Sequence, residues 1–368
     1  MLDERYHINN LNAIDTPALA VFPELVSRNI RQALSVVEPT EGTVLRPHVK
    51  THKTKEVVQM MQQAGINRFK CSTIAEAEML GLANAPDVLL AYQPTAVKAE
   101  RLAHLREAFP GTRFSCLVDN LASATMLAER FAADPLPVFI DLDVGMHRTG
   151  VAPSDAAALY RKCEQLPGLL PVGLHAYDGH IHAPSTKQRA QEVDAVYALV
   201  NAVRNELSPA QSDNLTLVMG GTPTFPFHAR RTQVECSPGT FPFWDAGYAA
   251  AFPDLPFRWA VLLLTRVISV IDKRTICLDA GSKAVATDAA WPRLVFPDQP
   301  DAEVMSQYEE HLLVRIPDTT GTAVGDVWRG VPLHICPTVN LYESLHVINK
   351  HRWEATWSVV ARARTLTI

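Results

Sequence analysis

VLRPHVKTHK, residues 44–53, decides the fold. It opens as a short β-rich run, turns polar at His48 and Lys50, and passes at once into the helical spacing of residues 53–64. The same succession repeats along the chain, in RFKCST (68–73), DVLLAY (87–92), RFSCLVD (113–119), PVFIDLD (137–143), PVGLHAY (171–177), LTLVMGG (215–221) and QVECSPG (233–239). Between many of these runs lie helically spaced stretches such as 74–82, 121–132 and 188–205, the crossover length that parallel strands require. Counted from residue 44 there are eight strands, the number that closes a (β/α)8 barrel. A doubly wound open sheet shares the alternation. Polar and glycine residues gather at the strand ends: His48 and Lys50, Asp141 and Asp143, His175 and Tyr177, Gly220 and Gly221, Pro238 and Gly239. In a barrel those ends share one mouth, where active sites are built.

Outward from this core the rhythm changes. Upstream, ALAVF (18–22) precedes an amphipathic stretch at 25–37. Beyond about residue 240 the runs RWAVLLLTRVISVI, TICLDAG, HLLVRI, LHICPTV and the terminal WSVVARARTLTI are separated by turn material, which reads as an all-β domain. The expected division is residues 1–15 packing with the β-domain, 16–240 as the barrel and 241–368 as the β-domain.

Composition narrows the function. Lysine and arginine total 34 against 39 acids, a net charge of −5, so nothing drives binding to nucleic acid phosphates. The longest apolar run, 259–264, is far short of the roughly 20 residues that cross a bilayer. The polar start MLDERYHINN lacks a signal peptide's apolar stretch, and six scattered cysteines make no disulfide framework. A cytoplasmic protein without membrane or nucleic acid partners is expected. Cys71, Cys116 and Cys277 read as small buried hydrophobes.

Three segments carry chemistry. Lys50 ends its strand and would project into the mouth; a partly desolvated lysine among other cations gives up its proton more readily and can form a Schiff base with an aldehyde. A solvated loop lysine is the plain alternative. In GGTPTFP (220–226) the glycines leave backbone N–H groups open to an oxyanion and Thr222 adds a hydroxyl; SPGT (237–240) supplies a second set with Gly239 and Thr240. Each loop alone reads equally well as a tight turn. In LHICPTVN (333–340), His334 and Cys336 alternate with apolar residues on a β-like run, offering imidazole and thiolate on one face, a pair suited to zinc or simply turned to the core. Arg148 sits in the glycine-flanked turn of DVGMHRTGV (143–151), and AYDGHIH (176–182) gathers Tyr177, Asp178, His180 and His182 as acid–base candidates.

Together RPHVKTHK, DVGMHRTGV, AYDGHIH, GGTPT, ECSPGT, LDAGSKAVATD and HICPTVN, in that order, resemble the D-threonine aldolase and D-serine dehydratase family of the alanine racemase-like pyridoxal phosphate enzymes. The resemblance implies a (β/α)8 barrel with a β-domain, working as a homodimer on a small D-amino acid. It implies Lys50 as the cofactor's Schiff-base lysine and a phosphate cradle of Gly220, Gly221, Thr222, Gly239 and Thr240. Arg148 would approach the ring hydroxyl, and Tyr177 would line the ring pocket. His334 and Cys336 would bind a divalent metal, zinc by its taste for thiolate, with manganese or magnesium as alternatives. His180 or His182 would take the proton of the substrate β-hydroxyl. His-x-Cys is typical of the dehydratase branch, whereas TVNLY and AYDGHIH look aldolase-like; retro-aldol cleavage is the expected reaction, dehydration the alternative and amino acid racemisation third. A cofactor-handling barrel without robust turnover usually lacks the β-domain.

Overall fold

The computed structural model describes residues 1–208, 211, 215–364 and 367. The chain forms two compact units, one of Arg31–Lys50, Val58–Gly239 and Ala363–Ile368, the other of Met1–Ile30, Thr51–Val57 and Thr240–Arg362.

In the first unit all eight expected strands form, as Val44–Leu45, Arg68–Cys71, Asp87–Leu90, Arg113–Val118, Leu136–Leu142, Leu169–Ala176, Thr216–Met219 and Val234–Cys236. They pair in parallel around the sheet, and Val44–Leu45 joins Val234–Cys236 at the other end of the order. A parallel bridge between His48 and Lys70, with the Lys70 N–H donating to the Pro47 carbonyl at 2.8 Å, joins the first strand to the second and closes the barrel. Helices such as Ile74–Leu82, Leu121–Arg130 and Thr186–Glu206 make the crossovers. Their starts are fixed by side-chain caps, the Thr73 hydroxyl on Glu76 N–H and the Asn120 amide oxygen on Ser123 N–H. Leu89, Leu117, Phe139 and Val218 form a buried cluster contributed by four of these strands.

The second unit is built on a nine-stranded sheet. Ala18–Val21, which the sequence reading grouped with the barrel, lies inside this sheet, antiparallel to Val261–Val270 and parallel to Ser344–Asn349. All four of its residues are buried, so its unbroken apolar run marks a central strand covered on both faces. The terminal run also differs from expectation. Trp357 and Ser358 finish the strand Arg352–Ser358, Val360–Arg362 is a 3-10 turn, and residues 365, 366 and 368 of that run lie outside the described residues. Among the described residues no helix is long and apolar enough to cross a membrane.

Candidate functional site

Tyr177, just past the strand Leu169–Ala176, organises the barrel mouth. Three cations face its ring: Lys50 Nζ stands 5.8 Å from the centroid, Lys70 Nζ 5.7 Å and Arg148 Cζ 5.5 Å. Lys50 occupies the short 3-10 turn Val49–Thr51, its N–H donating to His48 Nδ1 at 3.1 Å, and its side chain is exposed. The desolvated lysine that the sequence placed at position 50 is instead Lys70. It is 3 % exposed, and burial, with Lys50's charge second, pushes its amine down to about 7. Lys70 sits between Phe69 and Cys71 in a strand whose last three residues are all buried. A charged residue inside such a run is the signal that could have found it.

Two buried carboxylates brace this mouth. Asp141 takes His175 Nδ1 at 2.7 Å, Gln93 Nε2 at 2.8 Å and the Thr149 hydroxyl at 3.0 Å. Burial opposes its charge, but those hydrogen bonds hold it below the usual carboxylate range. His175 is held low by burial, against the pull of Asp141, and its Nε2 is buried without a hydrogen-bond partner. Asp178, an acid–base candidate by sequence, is fully buried and committed, with the Thr224 hydroxyl at 2.7 Å and His228 Nε2 at 2.7 Å. The Thr224 oxygen in turn accepts the Gly221 N–H at 2.9 Å. Gly220 has φ +83°, and a Cβ there would lie 2.9 Å from the His228 ring. Sequence reading left His228 and Thr224 unassigned, because their partner lies some fifty positions away in the chain.

The glycine loops differ from expectation in one respect. Their N–H groups are not open: Gly221 donates to Thr224, Gly239 donates to the Thr222 hydroxyl at 3.0 Å, and Gly220 reaches the Ala176 carbonyl at 3.4 Å. The hydroxyls of Thr224 and Thr222 draw the Gly221 and Gly239 donors inward. His180 and His182 are both exposed; the His180 ring lies over Gly145, whose missing Cβ leaves it room at 2.6 Å.

In the other unit His334 and Cys336 also depart from the sequence reading. They are not on a strand: His334 stands just before the short helix Ile335–Val339, without a side-chain cap hydrogen bond, and the helix contains Cys336. Pro337 ends strand pairing yet is tolerated in a first helical turn, where no N–H is needed. The two side chains meet nonetheless, as a hydrogen-bonded pair. Burial works against charge on His334, but Cys336 and Asp288 outweigh it and raise the imidazole to about 9. Asp288 Oδ2 lies 2.5 Å from His334 Nδ1. The Cys336 sulfur lies 3.0 Å from the Thr51 hydroxyl and 3.7 Å from that of Thr240, the residue expected in the phosphate cradle. Asp245, pushed up to about 6 by burial, accepts the Ile335 N–H at 3.2 Å and steadies the helix start. Among the described residues no group of three or more His, Cys, Asp or Glu is arranged to hold a metal ion.

Known proteins share this plan. The chain is 29% identical to D-threonine aldolase of Arthrobacter sp., over 96% of this chain and 94% of that one. It is 27% identical to 3-hydroxy-D-aspartate aldolase of Paracoccus denitrificans, over 95% and 93%. The crystal structure of D-threonine aldolase from Filomicrobium marinum superposes with a TM-score of 0.86 at 26% identity, covering 96% of this chain and 97% of that one. A putative serine dehydratase domain matches residues 260–348, and the alanine racemase N-terminal domain matches residues 24–241. With more than half its length in that second match, the chain belongs to the alanine racemase N-terminal domain family.

Proposed function

We propose that this protein is a pyridoxal phosphate- and divalent-metal-dependent lyase that cleaves D-3-hydroxy-α-amino acids of the D-threonine type to glycine and an aldehyde. The observation that carries this reading is the meeting of Lys50, Lys70 and Arg148 at the Tyr177 ring. An anionic aromatic aldehyde fits such a place: the cations offset its charge, Tyr177 flanks its ring, and the orphaned Nε2 of His175 offers a further polar contact. Lys50, exposed and therefore free to exchange, is the amine for the aldehyde. Arg148 would approach the ring hydroxyl. Gly220, Gly221, Thr222, Gly239 and Thr240 would take the phosphate, whose oxygens would have to replace the Thr224 and Thr222 hydroxyls that now accept from Gly221 and Gly239. When bound, the cofactor supplies an imine-forming carbonyl and an electron sink for the breaking Cα–Cβ bond.

His334 and Cys336 would hold the divalent ion, zinc by donor softness, with manganese or magnesium as alternatives. Such a pair is half a coordination shell, and Asp288 on Nδ1 orients the imidazole as outer carboxylates do for metal-bound histidines. The ion would polarise a hydroxyl oxygen and ease loss of its proton. Of the two exposed histidines we assign that proton to His180, whose ring lies beside Gly145 in the loop that carries Arg148, ahead of His182. Function as a homodimer completes the proposal.

Dehydration of D-serine or a 3-hydroxy-D-aspartate to a 2-oxo acid and ammonia is the second reading, favoured by the Cys336 thiol and the serine dehydratase match. There Lys50 would remove the α-proton. Incubating metal-loaded enzyme separately with D-threonine and D-serine distinguishes them: glycine plus aldehyde marks cleavage, a 2-oxo acid plus ammonia marks dehydration. Lys50→Ala is expected to lose the visible cofactor band and to drop turnover by about a thousandfold or more. A borohydride-reducible adduct surviving in that variant would transfer the role to another lysine. Chelation is expected to stop turnover while leaving the cofactor bound.

A further inference from the structure

Lys70 differs from the other charged groups of the barrel unit. It is 3 % exposed, and among the described residues its amine has no hydrogen-bond or ion-pair partner. The carboxylates that feel its charge, Asp141 and Asp178, are committed elsewhere, the first to His175, Gln93 and Thr149, the second to Thr224 and His228. What Lys70 faces is the Tyr177 ring, shared with Lys50 and Arg148. An aromatic face attracts one cation weakly and cannot offset three. His175 adds an independent sign, a buried Nε2 with no partner on an imidazole whose other nitrogen is pinned by Asp141. More positive than negative charge is thus brought to one point, and the group this suits is an oxyanion.

We propose that Lys70 is a ligand-binding residue of the barrel mouth, whose buried ammonium holds an oxyanion of the bound cofactor or of the substrate attached to it. The inference rests on the cofactor reading above. Two oxygens have the required chemistry, the ring hydroxylate of the cofactor and the carboxylate of the amino acid. The charged and titratable groups around the amine are Lys50, Arg46 and Arg148 against Asp141 and Asp178, with His175 beside them. An amine near 7 in the protein alone is drawn to its charged form by an anion, so the oxyanion is held more weakly as pH rises above about 7.

The experiment compares wild type, Lys70→Met and Lys70→Arg, each titrated with pyridoxal phosphate by absorbance and then assayed with D-threonine. Lys70→Met is expected to weaken one of two readouts by about ten- to a hundredfold, and Lys70→Arg to restore most of the loss. If the ring oxygen is the ligand, the cofactor Kd rises and the pH midpoint of the visible band moves while KM stays. If the carboxylate is the ligand, KM rises while band and cofactor Kd stay. Changes under twofold in both readouts overturn the inference. Lys70→Gln replaces the methionine variant if that one fails to fold. A wild type that binds no pyridoxal phosphate breaks the parent reading instead, which separates the two failures.

Discussion

The two ends of the barrel strands handle charge in opposite ways. Where Arg68–Cys71, Asp87–Leu90 and Arg113–Val118 begin, five charges form a chain of bridges. Arg113 pairs with Asp87 at 3.4 Å, Arg46 reaches Asp87 at 2.6 Å and also binds Glu235, and Glu235 binds Arg68. At the mouth Lys50, Lys70 and Arg148 converge on a tyrosine, while Asp141 and Asp178 are turned to neutral donors and histidines. Charge that is matched within the protein serves folding; charge left for an incoming group serves binding. The difference teaches which end to probe for which property.

Arg46→Met should give the largest stability effect. The guanidinium is 2 % exposed, and its loss leaves Glu235 and Asp87 short of a partner, which costs about 3–5 kcal/mol. Denaturant unfolding should show this loss while the folded fraction keeps its cofactor band. A folded variant without the band would break the division between the two ends.

Lys70→Met should act with the opposite sign on the cofactor-free protein. The amine titrates near 7 when folded against 10.5 ordinarily. Between those values the unfolded chain holds a proton that the folded one has released, so wild-type stability rises with pH across that window. The variant should lack this rise and be more stable at pH 7, by on the order of 4 kcal/mol. Unfolding curves of the two cofactor-free proteins from pH 7 to 10 check it.

On the acid side the Asp141–His175 pair sharpens the contrast. The folded value of His175 lies below 6.5 and that of Asp141 below 3.8. Unfolded chains therefore bind protons first at the histidine and then at the aspartate as pH falls, and stability declines from about pH 6.5 downward. His175→Gln should flatten the first part of that decline, between pH 6.5 and 5, in the same unfolding assay.

Much of this was readable in the chain. The eight barrel strands followed from β-rich runs alternating with helical spacing, and Lys50, Arg148 and Tyr177, singled out at strand ends, do come together. Lys70 escaped because alternation argues for one buried face, whereas a closed barrel buries both. Asp178 stood among the acid–base candidates, and its commitment to Thr224 and His228 was not readable because those partners are remote in sequence. LHICPTV looked like a strand because its apolar residues alternate; Pro337 was the contrary sign, compatible with a first helical turn and not with a central strand. Local pattern specifies elements, and pairing of charges across elements is tertiary information.

Arg68→Ala offers the smallest and most discriminating effect. Arg68 pairs with the same Glu235 as Arg46, but its side chain is 48 % exposed whereas that of Arg46 is 2 % exposed. Removing it leaves Glu235 still bound to a buried guanidinium, so no carboxylate is stranded, and water already screens the lost contact. A cost of about 0.5 kcal/mol is expected, shrinking further in high salt. The two arginines share Glu235 but differ in burial, in the second carboxylate that Arg46 also holds and in what their removal leaves behind. A loss for Arg68→Ala as large as that for Arg46→Met would mean that the whole five-charge chain acts as one unit, and that pairing at this end is cooperative rather than a sum of separate bridges.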